Sequence, residues 1–392
     1  MKGQVIKDGV TWVGAIDWER RLFDELIPLP DGTTYNAYLV RGSDKTVLID
    51  TVDPLFTEAL TSHLEANGVT RVDYIVSNHA EQDHSGSLPM LLARFPEAKI
   101  LTTPKGKGML QDLLEIADER FQPVADGARV ELGGRTLRFI HFPFVHWPET
   151  MVTYLEEDRI LFSCDLFGSH YAVGNLMGTS FQAFEPETKR YYAEIMMPFR
   201  TLIAKSMPKV AALPLELIAP SHGPLITDPA AVLRVHADWL SDLPHNKAVL
   251  AFVSMHDSTR HMARYLAEAL VDRGVDVEVF GLASADLGKL AMAMVDAATI
   301  VLGTPVVAAG AHPLVAYAAS IANMLKPKAR FAAIIGSQGW GGKPVEQLLG
   351  LIPNLKVEAL PPVLARGLPR AGDFAALDQL ADTIAAKHAT LN

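Results

Sequence analysis

Seven residues have the types and spacing of a two-metal site: His79, Glu81, Asp83 and His84 in one run, then His146, Asp165 and His222. The run Ser77-Asn78-His79-Ala80-Glu81-Gln82-Asp83-His84-Ser85-Gly86 places four potential ligands within six residues. It contains no Lys or Arg to pair the carboxylates. In extended backbone alternate side chains share one side, so His79 and Glu81 converge on one ion. A turn then re-aims Asp83 and His84 toward a second position. Singly, each follower has a plainer explanation: a histidine before glycine, such as His222, often lies in a turn, and Asp165 alone suits a helix cap. The run together with three spaced followers in this order makes the metal assignment.

The elements that must carry these residues are strands. Asp73-Tyr74-Ile75-Val76 reads as a buried strand ending at the cluster, within an apolar run from Val72 to Ser77. His146 follows a strand over Thr136 to His141, Asp165 follows Arg159 to Cys164, and His222 follows Glu216 to Pro220. Ligands gathered just past strand ends are the α/β pattern. Further strands are predicted over Thr11 to Trp18, Tyr35 to Arg41, Thr46 to Asp50, Lys99 to Thr102 and Thr150 to Glu156. Helices are predicted over Phe56 to Ala66, Leu88 to Phe95, Thr188 to Ala204 and Ala230 to Leu240. Of the remaining histidines, His63, His236, His245, His261 and His388 read as surface residues, and His141 as a strand residue near the site. His170 and Tyr171, shortly after Asp165, read as hydrogen-bond donors lining a substrate pocket.

Around Leu243-Pro244-His245-Asn246-Lys247 the pattern changes, and the predicted domain boundary falls there, dividing 1–246 from 247–392. Strands over Ala248 to Ser254, Val277 to Gly281, Thr299 to Gly303 and Phe331 to Gly336 alternate with helices over Thr259 to Arg273, Gly288 to Ala297, Pro313 to Leu325 and Val345 to Ile352. A closing helix runs from Phe374 to Ala386. These four strands and five helices over about 145 residues describe an open, doubly wound parallel sheet, for which five strands are expected. Three loops after its strands have the makings of a mononucleotide crevice. Ser254-Met255-His256-Asp257-Ser258-Thr259 offers hydroxyls and backbone N–H groups at a helix N-terminus, which suits a phosphate monoester. Thr304, Pro305, Val306 and Gly310 belong to the second loop, and Ser337, Gln338, Gly339, Trp340 and Gly341 to the third. Their glycines permit close backbone approach to a flat ring, and Trp340 can stack on it. No Gly-x-x-x-x-Gly-Lys-Ser/Thr loop occurs, which argues against triphosphate hydrolysis.

Composition narrows the function further. At 392 residues, 49% hydrophobic and 20% charged, the chain reads as a two-domain globular protein. A formal charge of −10 disfavours nucleic-acid binding. No apolar stretch of membrane-spanning length and no signal-type segment is seen, so no membrane association is expected, and a cytoplasmic enzyme is the simplest expectation. The single cysteine, Cys164, excludes intramolecular disulfides, Cys-x-x-Cys pairs and iron–sulfur clusters.

With these residues assembled, the chain resembles the metallo-β-lactamase superfamily, and specifically the flavodiiron proteins (A-type flavoproteins). The resemblance rests on His79-x-Glu81-x-Asp83-His84, then His146, Asp165 and His222. It extends to Phe144-Val145-His146-Trp147-Pro148-Glu149-Thr150-Met151, Ser163-Cys164-Asp165-Leu166-Phe167-Gly168 and the third flavin loop, over almost the whole chain. It implies an αββα metallo-β-lactamase-like sandwich followed by a flavodoxin-like domain, with FMN and two iron ions as cofactors. His79, Glu81 and His146 would bind one iron, Asp83, His84 and His222 the other, and Asp165 would bridge ions roughly 3.5–4 Å apart. Glu81 stands where the hydrolases of the superfamily have histidine. Independently of the family, a carboxylate there hardens the site and favours iron over zinc. Asp257 departs from the small residues usual in a phosphate loop, so its side chain is expected to point outward.

The resemblance implies an oxidoreductase that reduces O2 to water or NO to N2O with electrons delivered through FMN. It also implies a head-to-tail homodimer, or a dimer of such dimers, in which the flavin of one subunit faces the iron of the other. Without a Cys pair no rubredoxin is fused to the chain, so an external donor such as rubredoxin is expected. The competing reading is a zinc hydrolase with a flavodoxin-like regulatory module, against which Glu81 and the complete flavin domain both speak. An electron carrier with a vestigial metal domain is a third, and the complete ligand set argues against it.

Overall fold

The computed structural model describes residues 3–391, which fall into two compact units. The first runs to Tyr192 and takes in Phe199–Leu240; the second takes in Ala193–Pro198 and everything from Ser241 onward.

The first unit is built on two sheets. One holds β1 (Gln4–Lys7), β2 (Val10–Trp12), β3 (Tyr38–Arg41), β4 (Thr46–Ile49), β5 (Tyr74–Val76), β6 (Lys99–Thr102) and β7 (Phe121–Pro123), neighbours in that order. The other holds β8 (Arg129–Glu131), β9 (Thr136–His141), β10 (Met151–Leu155), β11 (Ile160–Cys164) and β12 (Leu217–Pro220), also in chain order. Strand alternation decides the layering. Leu39, Leu48, Ile75 and Ile100 face α1 (Thr57–Ala66) and its neighbours, packing with Leu60, Leu64, Leu88 and Leu91. Tyr38, Val40, Val47, Ile49, Val76 and Leu101 point the other way and meet Leu137, Phe139, Met151, Phe162 and Ala219 of the second sheet. Period-2 patterning thus makes both faces of the first sheet apolar and places a sheet against a sheet, the core of an αββα sandwich.

Between β5 and β7 lie the short turn α2 (Gln82–Ser85), then α3 (Leu88–Arg94) and α4 (Pro104–Leu114). The expected helix over Thr188 to Ala204 is replaced by a longer, interrupted path. It comprises α5 (Phe181–Tyr191), a π turn over Tyr192–Met196, a 3-10 turn over Met197–Phe199, and α6 (Arg200–Ala211), with the stretch Ala193–Pro198 counted in the second unit. Pro198 breaks the i→i−4 ladder where continuity was expected, while Pro186 and Pro208 are tolerated inside the two helices. The unit closes with α7 (Pro229–Leu240). The expected strand Thr11 to Trp18 divides at Gly14: Val10–Trp12 joins the large sheet, and Ala15–Asp17 pairs with Thr33–Tyr35 instead. His236 and His388 correct the surface reading, since both are buried.

The second unit is the parallel sheet expected: β13 (His245–Phe252), β14 (Asp276–Gly281), β15 (Ala297–Val307), β16 (Phe331–Gln338), β17 (Glu358–Ala359) and β18 (Val363–Arg366). Strand order is β14-β13-β15-β16, and β17 and β18 pair in succession along β16 to make the fifth position. Helices α8 (Ser258–Asp272), α9 (Leu287–Met294), α10 (Pro313–Leu325), α11 (Pro344–Gly350) and α12 (Ala371–His388) connect or close it. Leu266, Leu270, Leu377 and Ile384 of α8 and α12 pack on Leu250, Val301 and Ile335 of the sheet.

Candidate metal and flavin sites

All seven metal-site residues come together in the first unit, at strand ends of both sheets. His79 leaves the end of β5. Glu81 is the N-cap residue of α2, and that single turn carries Asp83 and His84 back toward the same centre. Asn78 pins the segment: its N–H and Nδ2 donate to the Asp50 carboxylate at 2.7 and 2.8 Å, and its Oδ1 accepts from Thr153 Oγ1 at 2.7 Å. Burial pushes the Asp50 carboxyl up to about 6, against the hydrogen bonds from Asn78. At the end of β11, Cys164 takes a left-handed conformation (φ 50°), which turns the chain out of the strand and presents Asp165. His222 follows β12, where Asn36 Nδ2 holds the carbonyls of Pro220 and Gly223, each at 2.9 Å.

Two groups result: His79, Glu81, His146 and Asp165, and Asp83, His84 and His222. In the first, Glu81 Oε2 lies 3.1 Å from His79 Nε2 and 2.9 Å from His146 Nε2. In the second, Asp83 Oδ2 lies 3.2 Å from His84 Nε2 and 3.1 Å from His222 Nε2. Asp165 stands between them, its Oδ2 3.5 Å from His79 Nε2 and its Oδ1 3.2 Å from His84 Nε2. Every Nε2 therefore points inward. Both Asp83 oxygens and Asp165 Oδ2 are buried without a hydrogen-bond partner. Buried carboxylate oxygens left so are costly unless cations satisfy them, so this donor set fits two metal ions.

The electrostatics agree. Burial works against charge throughout, yet the neighbouring imidazoles hold Glu81 and Asp165 well below the ordinary carboxylate range. Burial likewise disfavours charge on His79 and His84. Glu149 and Glu81 nevertheless lift His79 well above the imidazole value, and Asp83 and Asp165 lift His84 to about 9. The buried carboxylates thus favour positive charge at the cluster, as a cation site must.

His170 lies where a pocket residue should. Its Nδ1 is 2.9 Å from Thr33 Oγ1, and its ring stands 4.9 Å from that of His222 and 5.1 Å from that of Phe23. Burial, with the charge of His222 adding to it, keeps His170 neutral, its pKa well below the usual value. Tyr171 instead lays its ring over Phe184 at 6.5 Å, while Tyr191 is the tyrosine against His170, at 4.8 Å. Other supporting residues went unread in the sequence. Glu149 accepts from His79, the Thr34 carbonyl accepts from His222 Nδ1 at 2.6 Å, and Ser221 Oγ donates to Asp165 Oδ1 at 2.7 Å. Their only sequence signal is adjacency: Ser221 precedes His222, and Glu149 lies three residues after His146.

The three loops expected to hold flavin sit together at the carboxyl ends of β13, β15 and β16, adjacent strands in the sheet. Asp257 caps α8 in a left-handed conformation (φ 63°), and its carboxylate turns outward to Arg260 Nη1 at 2.5 Å. Ser254 Oγ accepts from Arg260 N at 3.2 Å. Thr304 Oγ1 accepts from His312 N at 2.9 Å and donates to Pro305 O at 2.8 Å, shaping the second loop. A Cβ at Gly336 would collide with the Thr304 carbonyl, so only glycine lets the second and third loops approach. Trp340 is 68% exposed and Met255 53%, and nothing stands within 4 Å of a Cβ built at Gly339 or Gly341. Adjacent strand-end loops with open glycines and an exposed aromatic ring fit FMN.

An αββα sandwich with a two-metal cluster, joined in one chain to a flavodoxin-like sheet, defines a class of redox metalloprotein. Comparison with known proteins agrees. Residues 33–223 match the family described as ODP family beta lactamase. A nitric oxide reductase of Moorella thermoacetica is 34% identical over 97% of this chain and 98% of its own. A type A flavoprotein, fprA, of Rhodobacter capsulatus is 35% identical over 92% of this chain and 85% of its own. The solved rubredoxin oxygen:oxidoreductase of Desulfovibrio gigas superposes with a TM-score of 0.94 at 30% identity, covering 99% of both chains. The chain belongs to the flavodiiron (A-type flavoprotein) family.

Proposed function

We propose that this protein is a flavodiiron oxidoreductase that reduces O2 to water or NO to N2O, drawing electrons through FMN from an external donor. One observation carries the reading most: four imidazoles and three carboxylates converge, Glu81 among them, with buried oxygens of Asp83 and Asp165 calling for cations. Its cofactors are FMN and a non-haem diiron centre. When bound, FMN takes up reducing equivalents and the iron pair binds and reduces the diatomic gas. In the assignment we favour, His79, Glu81 and His146 would hold one iron and Asp83, His84 and His222 the other, with Asp165 shared between them. The hydrolase reading is not favoured, because Glu81 replaces the imidazole that a zinc hydrolase places there.

This chain's own residues prepare the site. Glu149 and the Thr34 carbonyl orient His79 and His222. Phe23 and Tyr191 pack against neutral His170 and exclude water from the His222 side. We place the flavin on Ser254 to Thr259, Thr304 to Gly310 and Ser337 to Gly341. The metal domain we take as 1–246 and the flavin domain as 247–392, a boundary close to the passage from α7 to β13 that leaves the first two residues of β13, His245 and Asn246, on the metal-domain side.

A head-to-tail homodimer brings the flavin of one subunit to the iron of its partner. Its support is exposed apolar side chains at both places, Trp340 and Met255 at the flavin loops and Leu22 and Leu26 on the hairpin carrying Phe23. Rubredoxin, or a carrier like it, is the donor we infer, in keeping with the name of the Desulfovibrio gigas relative. Among the described residues no helix is long and apolar enough to cross a membrane. A reducing cytoplasm suits the single buried, free Cys164. Purified protein should contain about two irons and one FMN per chain and consume O2 or NO when given reduced rubredoxin. Zinc in place of iron, with hydrolysis and no flavin-dependent gas consumption, would overturn the proposal.

A further inference from the structure

The two metal positions are backed unequally. His79 Nδ1 lies 2.6 Å from Glu149 Oε1, the same oxygen that accepts from Ala80 N at 2.9 Å. The Glu149 side chain is 1% exposed, and its backbone carbonyl is held by Thr103 Oγ1 at 2.8 Å. Such a carboxylate–imidazole contact is short and charge-assisted. It fixes the tautomer with the proton on Nδ1 and leaves the Nε2 lone pair facing Glu81 and Asp165. The edge of the Trp147 ring stands against His79 at 5.0 Å and limits ring rotation.

The other position has no counterpart. His222 Nδ1 donates to a neutral carbonyl, that of Thr34. His84 Nδ1 is buried with no hydrogen-bond partner among the described residues. One position therefore has Glu81, Asp165 and an imidazole made more basic by a third carboxylate, while the other has Asp83, Asp165 and imidazoles backed by neutral groups or by none.

We propose that Glu149 is a positioning residue that makes the metal position at His79 the tighter of the two, so that it fills first. The inference rests on the two-metal reading above. Glu149 reaches the ion only through His79, by aiming its ring and enriching its donor nitrogen.

The test is anaerobic titration of metal-free protein with ferrous iron, comparing wild type with Glu149→Gln and Glu149→Leu. Wild type should bind two equivalents in two resolved steps. His146→Ala should abolish the tighter step and His222→Ala the weaker, which assigns each step to its position. Glu149→Leu should weaken the tighter step by about 10- to 100-fold and leave the weaker within error. Glu149→Gln, whose amide oxygen still accepts from Nδ1–H and Ala80 N–H, should lose less. Both variants should bind FMN as wild type does. If the leucine variant fails to fold, the glutamine variant carries the test, its tighter step falling while metal-free thermal stability holds. Equal loss at both steps, or loss at neither, would refute the role of Glu149. A wild-type protein that takes up fewer than two metal ions would instead refute the two-metal reading beneath it.

Discussion

Acidification should destabilise the metal-bearing unit through His236, a residue that touches no ligand. His236 lies on α7, buried among Phe167, Tyr192 and Trp239, with ring centroids at 4.8, 5.9 and 4.7 Å. Phe167 belongs to the turn that presents Asp165, so this packing supports the site from behind. Burial pushes the His236 pKa down from 6.5 to about 4, the Val232 carbonyl offsetting little of it. The folded state thus refuses a proton that the unfolded chain accepts. Stability is fully present above the unfolded value, falls as pH drops through 6.5, and stops falling near 4. Each pH unit inside that window costs about 1.4 kcal/mol, so pH 7 to pH 5 should cost about 2 kcal/mol and the whole window about 3 kcal/mol. Urea unfolding of metal-free protein at pH 7, 6, 5 and 4.5, for wild type and His236→Leu, isolates this residue from the carboxylates common to both. The wild type should lose about 2 kcal/mol more than the variant by pH 5. Parallel pH profiles would refute the reasoning.

Two further outcomes follow from the same geometry. Glu81→His gives the first group three imidazoles beside Asp165, so the purified variant should carry more zinc than iron by metal analysis; unchanged iron content would count against the role given to Glu81. Trp340→Ala should raise the FMN dissociation constant about tenfold, the loss of roughly 1.5 kcal/mol of ring stacking, with iron content unchanged; fluorescence titration of the flavin-free protein measures it.

Much of this was legible where local physics is decisive. The strands Lys99–Thr102 and Thr136–His141 and the helix Pro313–Leu325 form with the bounds read from the sequence, because apolar runs there end abruptly at turn or capping residues. The ligand set was legible because acidic and imidazole side chains crowd the ends of apolar strands without basic partners. Helix α4 was not among the expected elements: Gly106 and Gly108 weaken its helical propensity, yet Thr103 accepts from Gly106 N and Pro104 starts the first turn. His236 and His388 were misread as surface, since nothing local marks a histidine whose rings and hydrogen bonds come from distant elements. The His388 partners, Thr299 and Asn246, lie 89 and 142 residues away. Glu149 was invisible as a support for His79 for the same reason: the pairing spans 70 residues and two sheets.

The central claim is that electrons held by the flavin reach the gas only by way of the metal cluster. Rapid mixing of fully reduced protein with O2 and, separately, with NO follows flavin reoxidation by its absorbance, in iron-loaded protein and in protein stripped of iron but retaining FMN. Reoxidation by at least one gas should be fast with iron and slow without it. Flavin reoxidation at the same rate with and without iron, for both gases, would contradict it.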